Sequence, residues 1–464
     1  MKLLAQLSCF GLVLMIWMPA KSRVHIPISP VQCITMDTLN PETWSVDSTY
    51  GALHVQHRTK PPMRIQLGNE DIRAIYEGCS RAGVAVVANQ TSVIHGADTT
   101  QNTHLVDSLL TLGIDVRKVF APEHGFRGNA HNGAHIADNV DPVTGLPILS
   151  LHGKHKKPSA ESLSDVRIII FDIQDVGARF YTYLSTLFLV MEAAAENGKV
   201  VVVLDRPNPH GHQIAGPVIQ SELISFIGQI PVPVLHGMTL GEMAQMINGE
   251  GWLTNGTSCD LVVIPCKGYA HSDAWYPPIA PSPNLPTPES IALYPSLCPF
   301  EPTVVSVGRG TSTPFEVIGM PSGSLGSFVF TPQPVVGASP NPKHKGTPCY
   351  GQNLRELGEE WTRTNVGFDW SMVADYGDQW RVSQQLQAER FLEEQTGNSS
   401  KDPFVKSPSF FDKLVGNDGL RAVINGQLSY DEYVAGWLVE LREFDQRRTP
   451  YLLYPVQRKG QDGG

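Results

Sequence analysis

The sequence predicts a doubly wound α/β fold with a mostly parallel sheet, followed by a smaller mixed α+β C-terminal domain. Three observations predict it. Short apolar runs without alternation recur between residues 84 and 204, the pattern of strands buried on both faces. Segments of helical character separate these runs, as in a parallel sheet built from β/α units. Beyond about Gly256 the texture changes to proline-rich stretches, such as Pro281-Ser282-Pro283-Asn284-Leu285-Pro286, between short strand candidates.

Taken in order, residues 1–22 read as a signal peptide. Met1-Lys2 is a positive start, Leu3 to Met18 is mostly apolar, and Ala20-Lys21-Ser22 offers small residues for cleavage. The apolar run is short for a membrane anchor, so we expect a secreted or periplasmic chain with no stable membrane insertion. Residues 23–62 form a leader, and residues 63–255 the α/β domain. Within that domain, strands are expected at Val84 to Ala88, Val116 to Ala121, Arg167 to Phe171 and Val200 to Leu204. Helices are expected at Asp71 to Arg81, Thr103 to Leu112 and Leu184 to Asn197, the last stopped by Asn197-Gly198. Residues 256–464 make the second domain, packed over the crevice, with helices at Leu420 to Ile424 and Tyr430 to Phe444.

Composition bounds the function. A chain of 464 residues exceeds one ordinary core, and 41% hydrophobic with 17% charged residues describes a folded protein. The formal charge of −10 argues against nucleic acid or an anionic membrane as partner. An acidic substrate would have to be met by locally placed arginines. Oligomeric state is not legible. Six cysteines follow the signal segment: Cys33, Cys79, Cys259, Cys266, Cys298 and Cys349. In an exported chain they permit up to three disulfides, with Cys259–Cys266 the first pair to test. No Cys-x-x-Cys pair supports zinc. Glycosylation sequons begin at Asn89, Asn255 and Asn398.

The expected strands end in polar groups: Asn89, Glu123, Asp172 and Asp205. Ligands of open α/β sheets bind at the carboxyl ends of strands, so four such groups point to one crevice. Each alone is equally suited to cap a helix or make a turn. No G-x-G-x-x-G follows the first strand and no phosphate-binding loop of the G-x-x-x-x-G-K-[ST] type occurs. The sheet is therefore Rossmann-like in wiring without dinucleotide chemistry.

Several longer blocks are distinctive. They are Phe120-Ala121-Pro122-Glu123-His124-Gly125-Phe126-Arg127-Gly128, then Phe171-Asp172-Ile173-Gln174-Asp175-Val176-Gly177-Ala178-Arg179-Phe180-Tyr181-Thr182-Tyr183, then Leu204-Asp205-Arg206-Pro207-Asn208-Pro209. His236-Gly237-Met238-Thr239-Leu240-Gly241-Glu242, the proline-rich block around Asn284, and Gly308-Arg309-Gly310-Thr311 with Pro314-Phe315-Glu316 follow. In this order they resemble the NamZ-type exo-β-N-acetylmuramidases, a family once described only as a domain of unknown function. The resemblance runs from about residue 64 to the end. It implies a Rossmann-like domain, a smaller C-terminal domain and a pocket at their junction. It also implies release of N-acetylmuramic acid from peptidoglycan-derived saccharides, with no required metal or organic cofactor. The chain departs from the family pattern at His152, where tyrosine is common, and in the variable loop Asn129 to Asp141.

Glycoside hydrolysis needs a carboxylic acid to protonate the leaving oxygen, usually with a second carboxylate as nucleophile or base. Glu123 is the candidate acid, with His124 beside it to tune or share the proton. Asp172, Asp175 and Asp205 are candidates for the second group, each equally suited to holding a neighbouring arginine; attack by the substrate's own acetamido group is a further route. Asn89 closes the first strand within the same crevice. Arg127, Arg179, Arg206 and Arg309 are candidates to bind the lactyl carboxylate, which a guanidinium grips bidentately. Tyr181 and Tyr183 suit a sugar face or the core. Asn208, His236 and Asn284 are candidate hydroxyl or acetamido partners. An esterase finds no G-x-S-x-G elbow here. A silent glycan-binding module would need a disabled acid, and Glu123 is intact.

Overall fold

The computed structural model describes residues 44–47, 52–55, 64–95, 102–127, 139–321, 326–365, 367–393 and 403–456. The expected signal peptide, Cys33, Asn398 and most of the loop after Arg127 lie outside the described residues.

The α/β domain is built on seven strands: β1 (Val84–Ala88), β2 (Val116–Ala121), β3 (Asn139–Val140), β4 (Pro147–Ser150), β5 (Ile168–Asp172), β6 (Val200–Leu204) and β7 (Asp260–Ile264). Their order across the sheet is β7-β6-β5-β1-β2-β4-β3, and all neighbours are parallel except the edge pair β3–β4. The chain winds outward from β1 to β2 and β4, then restarts on the other side of β1 with β5. The register there runs from Val84 opposite Ile168 to Ala88 opposite Asp172. The expected doubly wound sheet is thus present, with its switch point between β1 and β5. The strand β7 lies past the expected boundary at residue 255, because the change of texture at Gly256 precedes one more strand of the same sheet.

The runs lack alternation because both faces are covered. Ala85, Val87, Ile169, Phe171, Val201 and Val203 join one apolar cluster, while Val84, Val86, Ile168, Ile170, Val202 and Leu204 join the other. Burying each such side chain is worth roughly 1.5–3 kcal/mol. Helices α1 (Ile72–Cys79) and α2 (Leu105–Thr111) cover the second cluster; α3 (Tyr183–Asn197) and α4 (Leu240–Gly249) cover the first. The expected stop at Asn197-Gly198 is met, with Gly198 in the left-handed conformation at φ 61°.

The second domain contains α5 (Pro288–Leu297), α6 (Arg355–Thr364), α7 (Ser371–Glu393), α8 (Pro408–Val415), α9 (Gly419–Ile424) and α10 (Tyr430–Arg448). It also has a three-stranded antiparallel sheet of Val317–Met320, Cys349–Asn353 and Phe328–Phe330. Its core is not separate. Phe300, Trp370, Phe411 and Trp437 belong to the same cluster as the inner face of the parallel sheet.

The expected cysteine pairing is corrected. Cys79, Cys259, Cys266, Cys298 and Cys349 are all free and buried. Cys259 and Cys266 flank the extended strand β7 at its opposite ends, which keeps their sulfurs apart. Among the described residues no helix is long and apolar enough to cross a membrane.

Candidate active site

Strand β2 delivers its chain at Ala121 to Pro122, and the Gly125 amide closes a turn on the Pro122 carbonyl at 3.1 Å. Within this turn His124 has φ 71°, uncommon for a residue with a side chain, and Gly125 has φ 81°. The turn sets Glu123 and His124 side by side on the wall of a cavity of about 190 Å³ at the junction of the two domains.

The start of α3 holds Glu123 in place. The Thr182 hydroxyl donates to Glu123 Oε2 at 3.1 Å, and the Tyr183 hydroxyl donates to the Glu123 carbonyl at 3.3 Å. Asn89 Nδ2 donates to that same tyrosine oxygen at 3.0 Å. Tyr181 stands edge-on to Tyr183, ring centroids 4.9 Å apart, and donates to the Pro281 carbonyl at 2.9 Å. Both tyrosines face the cavity. Burial pushes the His124 imidazole pKa down, the Glu123 carboxylate pulls it partly back, and Arg309 and His152 press it further down. Its Nε2 lies 3.3 Å from the Ser282 hydroxyl.

The second domain supplies the facing wall. Asn284 donates to the Ala338 carbonyl at 3.0 Å and lines the cavity, as do Tyr294, Glu301 and Arg309. Arg309 Nη1 donates to Glu301 Oε2 at 3.2 Å. Gly308 at φ 77° and Gly310 at φ 85° flank Arg309, and at Gly308 a β-carbon would meet Val317 Cγ2 at 2.5 Å. The arrangement joins two carboxylates, a guanidinium and an aromatic wall in one space. Among the described residues no three His, Cys, Asp or Glu side chains gather to hold a metal ion.

A family model described as exo-beta-N-acetylmuramidase NamZ, N-terminal, matches residues 84–289, and its C-terminal counterpart matches residues 292–454. The peptidoglycan beta-N-acetylmuramidase NamZ of Bacillus subtilis (strain 168) is 38% identical over 357 residues, 74% of this chain and 80% of that protein. The chain belongs to the NamZ family.

That family is one of exo-β-N-acetylmuramidases, which are glycosidases. Two crystal structures of DUF1343 family proteins from Bacteroides fragilis NCTC 9343 are similar to this NamZ-family chain. One has a TM-score of 0.71 at 39% identity, covering 84% of this chain and 99% of its own. The other has a TM-score of 0.65 at 26% identity, covering 85% and 100%. The two NamZ family matches abut within α5, the helix whose last turn leads to Glu301.

Of the residues singled out in the sequence, Glu123, His124, Tyr181, Tyr183, Asn284 and Arg309 come together on the cavity, with Asn89 one layer behind. The other candidates do not line it. Asp172 is fully buried and takes Arg206 Nε at 2.6 Å and Asn69 Nδ2 at 3.2 Å. Asp205 accepts from Thr239 Oγ1, Gly241 N and Tyr454 OH at 2.7, 2.8 and 2.5 Å. Asp175 accepts from the Gly177 amide at 2.6 Å, and burial pushes its pKa up to about 7. Arg127 forks onto Asp107 and Asp141. Arg179 donates to four carbonyls, those of Pro217, Val232, Leu414 and Val415. Asn208 bridges Met238 O and the His210 amide, and burial pushes the His236 pKa down to about 3. The four strand ends therefore do not converge on one crevice: internal partners absorb Asp172 and Asp205, and Glu123 alone carries its carboxylate to the cavity. Sequence reasoning missed Thr182, Ser282, Tyr294 and Glu301. Thr182 and Ser282 sit inside quoted blocks; Glu301 sits in none.

Proposed function

We propose that this chain is an exo-acting β-N-acetylmuramidase that releases N-acetylmuramic acid from the non-reducing ends of peptidoglycan fragments. Glu123 protonates the leaving oxygen. The observation that carries this reading is the placement of Glu123 and Arg309 on the same small cavity. A carboxyl on one wall serves the glycosidic oxygen; a guanidinium on the other suits the lactyl carboxylate that distinguishes muramic acid from glucosamine. The cavity of about 190 Å³ is walled by side chains of both domains, which suits a terminal sugar group. Tyr181 and Tyr183 offer apolar ring surface, and Asn284 an amide for the acetamido group. The name of the Bacillus subtilis relative supports the same substrate. The charged and apolar pattern of residues 1–22 supports export to the periplasm or the medium.

The test is chromophore release from an aryl β-N-acetylmuraminide beside the matching N-acetylglucosaminide. The first alone should turn over, and Glu123→Gln should abolish turnover while leaving binding of the product sugar intact. Equal turnover of both glycosides would remove the muramic specificity; a Glu123→Gln variant as active as the parent would remove the acid.

A further inference from the structure

The acid at Glu123 needs a group on the opposite side of the anomeric carbon, and the aspartates expected to provide it are absent from the cavity. Asp172 and Asp205 are 0% and 1% exposed and saturated by Arg206, Asn69, Thr239, Gly241 and Tyr454. Asp175 faces a separate space of about 10 Å³ beside Arg206 and Pro207. The carboxylates lining the 190 Å³ cavity are Glu123 and Glu301.

Glu301 is held as a reacting group would be. It follows the short turn Cys298–Phe300 at the end of α5, where its amide donates to the Cys298 carbonyl at 2.9 Å. Its own carbonyl accepts from Lys343 Nζ at 2.9 Å, and that ammonium is fixed by the carbonyls of Phe300, Thr303 and Val305 as well. One carboxylate oxygen, Oε2, is taken by Arg309. The other, Oε1, is shielded from solvent and has no hydrogen-bond partner. A buried carboxylate oxygen without a partner is costly, and such groups are retained where a ligand completes them.

Resting on the glycosidase reading above, we propose that Glu301 is the nucleophile. Its carboxylate, turning to present an oxygen to the cavity, forms a bond to the anomeric carbon as the glycosidic C–O bond breaks. The electron pair of that bond goes to the leaving oxygen, which takes the proton of Glu123. Water then gives a proton to the Glu123 carboxylate and its oxygen displaces Glu301, so both side chains return to their starting forms and the β-anomer is released. Arg309 steadies Oε2 throughout. A carboxylate paired with a guanidinium is suited to alternate between anion and ester, whereas a base would have to take up a proton against that positive charge.

The experiment compares the full chain with Glu301→Ala, Glu301→Gln and Glu123→Ala on an aryl β-N-acetylmuraminide, with and without sodium azide, following product anomers by NMR. Glu301→Ala is expected to lose at least about 10³-fold in turnover. Azide should restore aryl release and give the α-glycosyl azide, while Glu123→Ala with azide should give the β-azide. Glu301→Gln keeps size and should keep its melting midpoint while losing turnover. A Glu301→Gln variant within tenfold of wild type, an α-anomer as first product of the wild type, or no azide rescue in a folded Glu301→Ala would each overturn the proposal. A wild type that released no aryl group from the muraminide would overturn the glycosidase reading and the role of Glu301 together. Turnover by the wild type with an unimpaired Glu301→Ala would remove only the latter.

Discussion

At the scale of single residues, burial and partners sort chemically alike groups into different tasks. Asp175 is a carboxyl that the fold desolvates without offering it to the cavity, and burial pushes its pKa up to about 7. Between the ordinary aspartate value of about 3.9 and about 7, the folded chain keeps a proton that the unfolded chain has released. Stability therefore falls as pH rises through that window, and the loss is complete above it. Asp175→Asn keeps an oxygen for the Gly177 amide and removes the ionisation. It should flatten the decline of melting temperature between pH 4 and 7, with a gain on the order of 2–4 kcal/mol at pH 8. Identical pH profiles for the two proteins would refute that account. Arg309 differs from Arg127, Arg179 and Arg206 in lining the cavity, whereas those three are engaged by carboxylates or carbonyls elsewhere. Arg309→Ala should cost about 10–100-fold in kcat/KM on the muraminide, as expected for loss of a charge-assisted contact of roughly 1.5–3 kcal/mol.

At the scale of elements, the site depends on the loops that follow β2 and β5. Gly177 lies between Asp175 and the first turn of α3 with φ 78°, and a β-carbon there would sit 2.0 Å from Asn208 Oδ1. Asn208 cannot yield, because it donates to Met238 O at 2.8 Å and accepts from the His210 amide at 2.8 Å. Gly177→Ala should destabilise the chain by about 2–4 kcal/mol and, by shifting the start of α3, loosen Thr182 from Glu123. Denaturant unfolding beside kcat measures both effects, and a fully stable, fully active variant would show that the loop can adapt. The strands and helices of this region were legible in the sequence because each is decided by local pattern. The run Val84 to Ala88 and the stop at Asn197-Gly198 are found where expected.

At the scale of the molecule, the two domains share one apolar cluster, and polar ties reinforce it. Arg179, from the loop before α3, reaches the carbonyls of Leu414 and Val415 at the end of α8, and Arg448 donates to the Gly237 carbonyl at 2.6 Å. Such a chain should unfold in a single calorimetric transition. Arg179→Lys should lower its stability by about 2–4 kcal/mol, since one ammonium replaces a fork that serves four buried carbonyls. Two resolved transitions would separate the domains energetically. The same packing explains which parts of the site were legible. Glu123, His124, Tyr181 and Tyr183 follow strands of one sheet, and their convergence follows from the β/α rhythm itself. Hydrophobic periodicity acts over a few residues, so the sequence by itself determined the parallel sheet, its covering helices and the place of Glu123 just past the end of β2. The partners of Asp172 and Asp205 lie tens of residues or more away in the chain, so only the tertiary structure decided that these two are sealed, that the cysteines stay apart, and that Glu301 and Glu123 line one cavity.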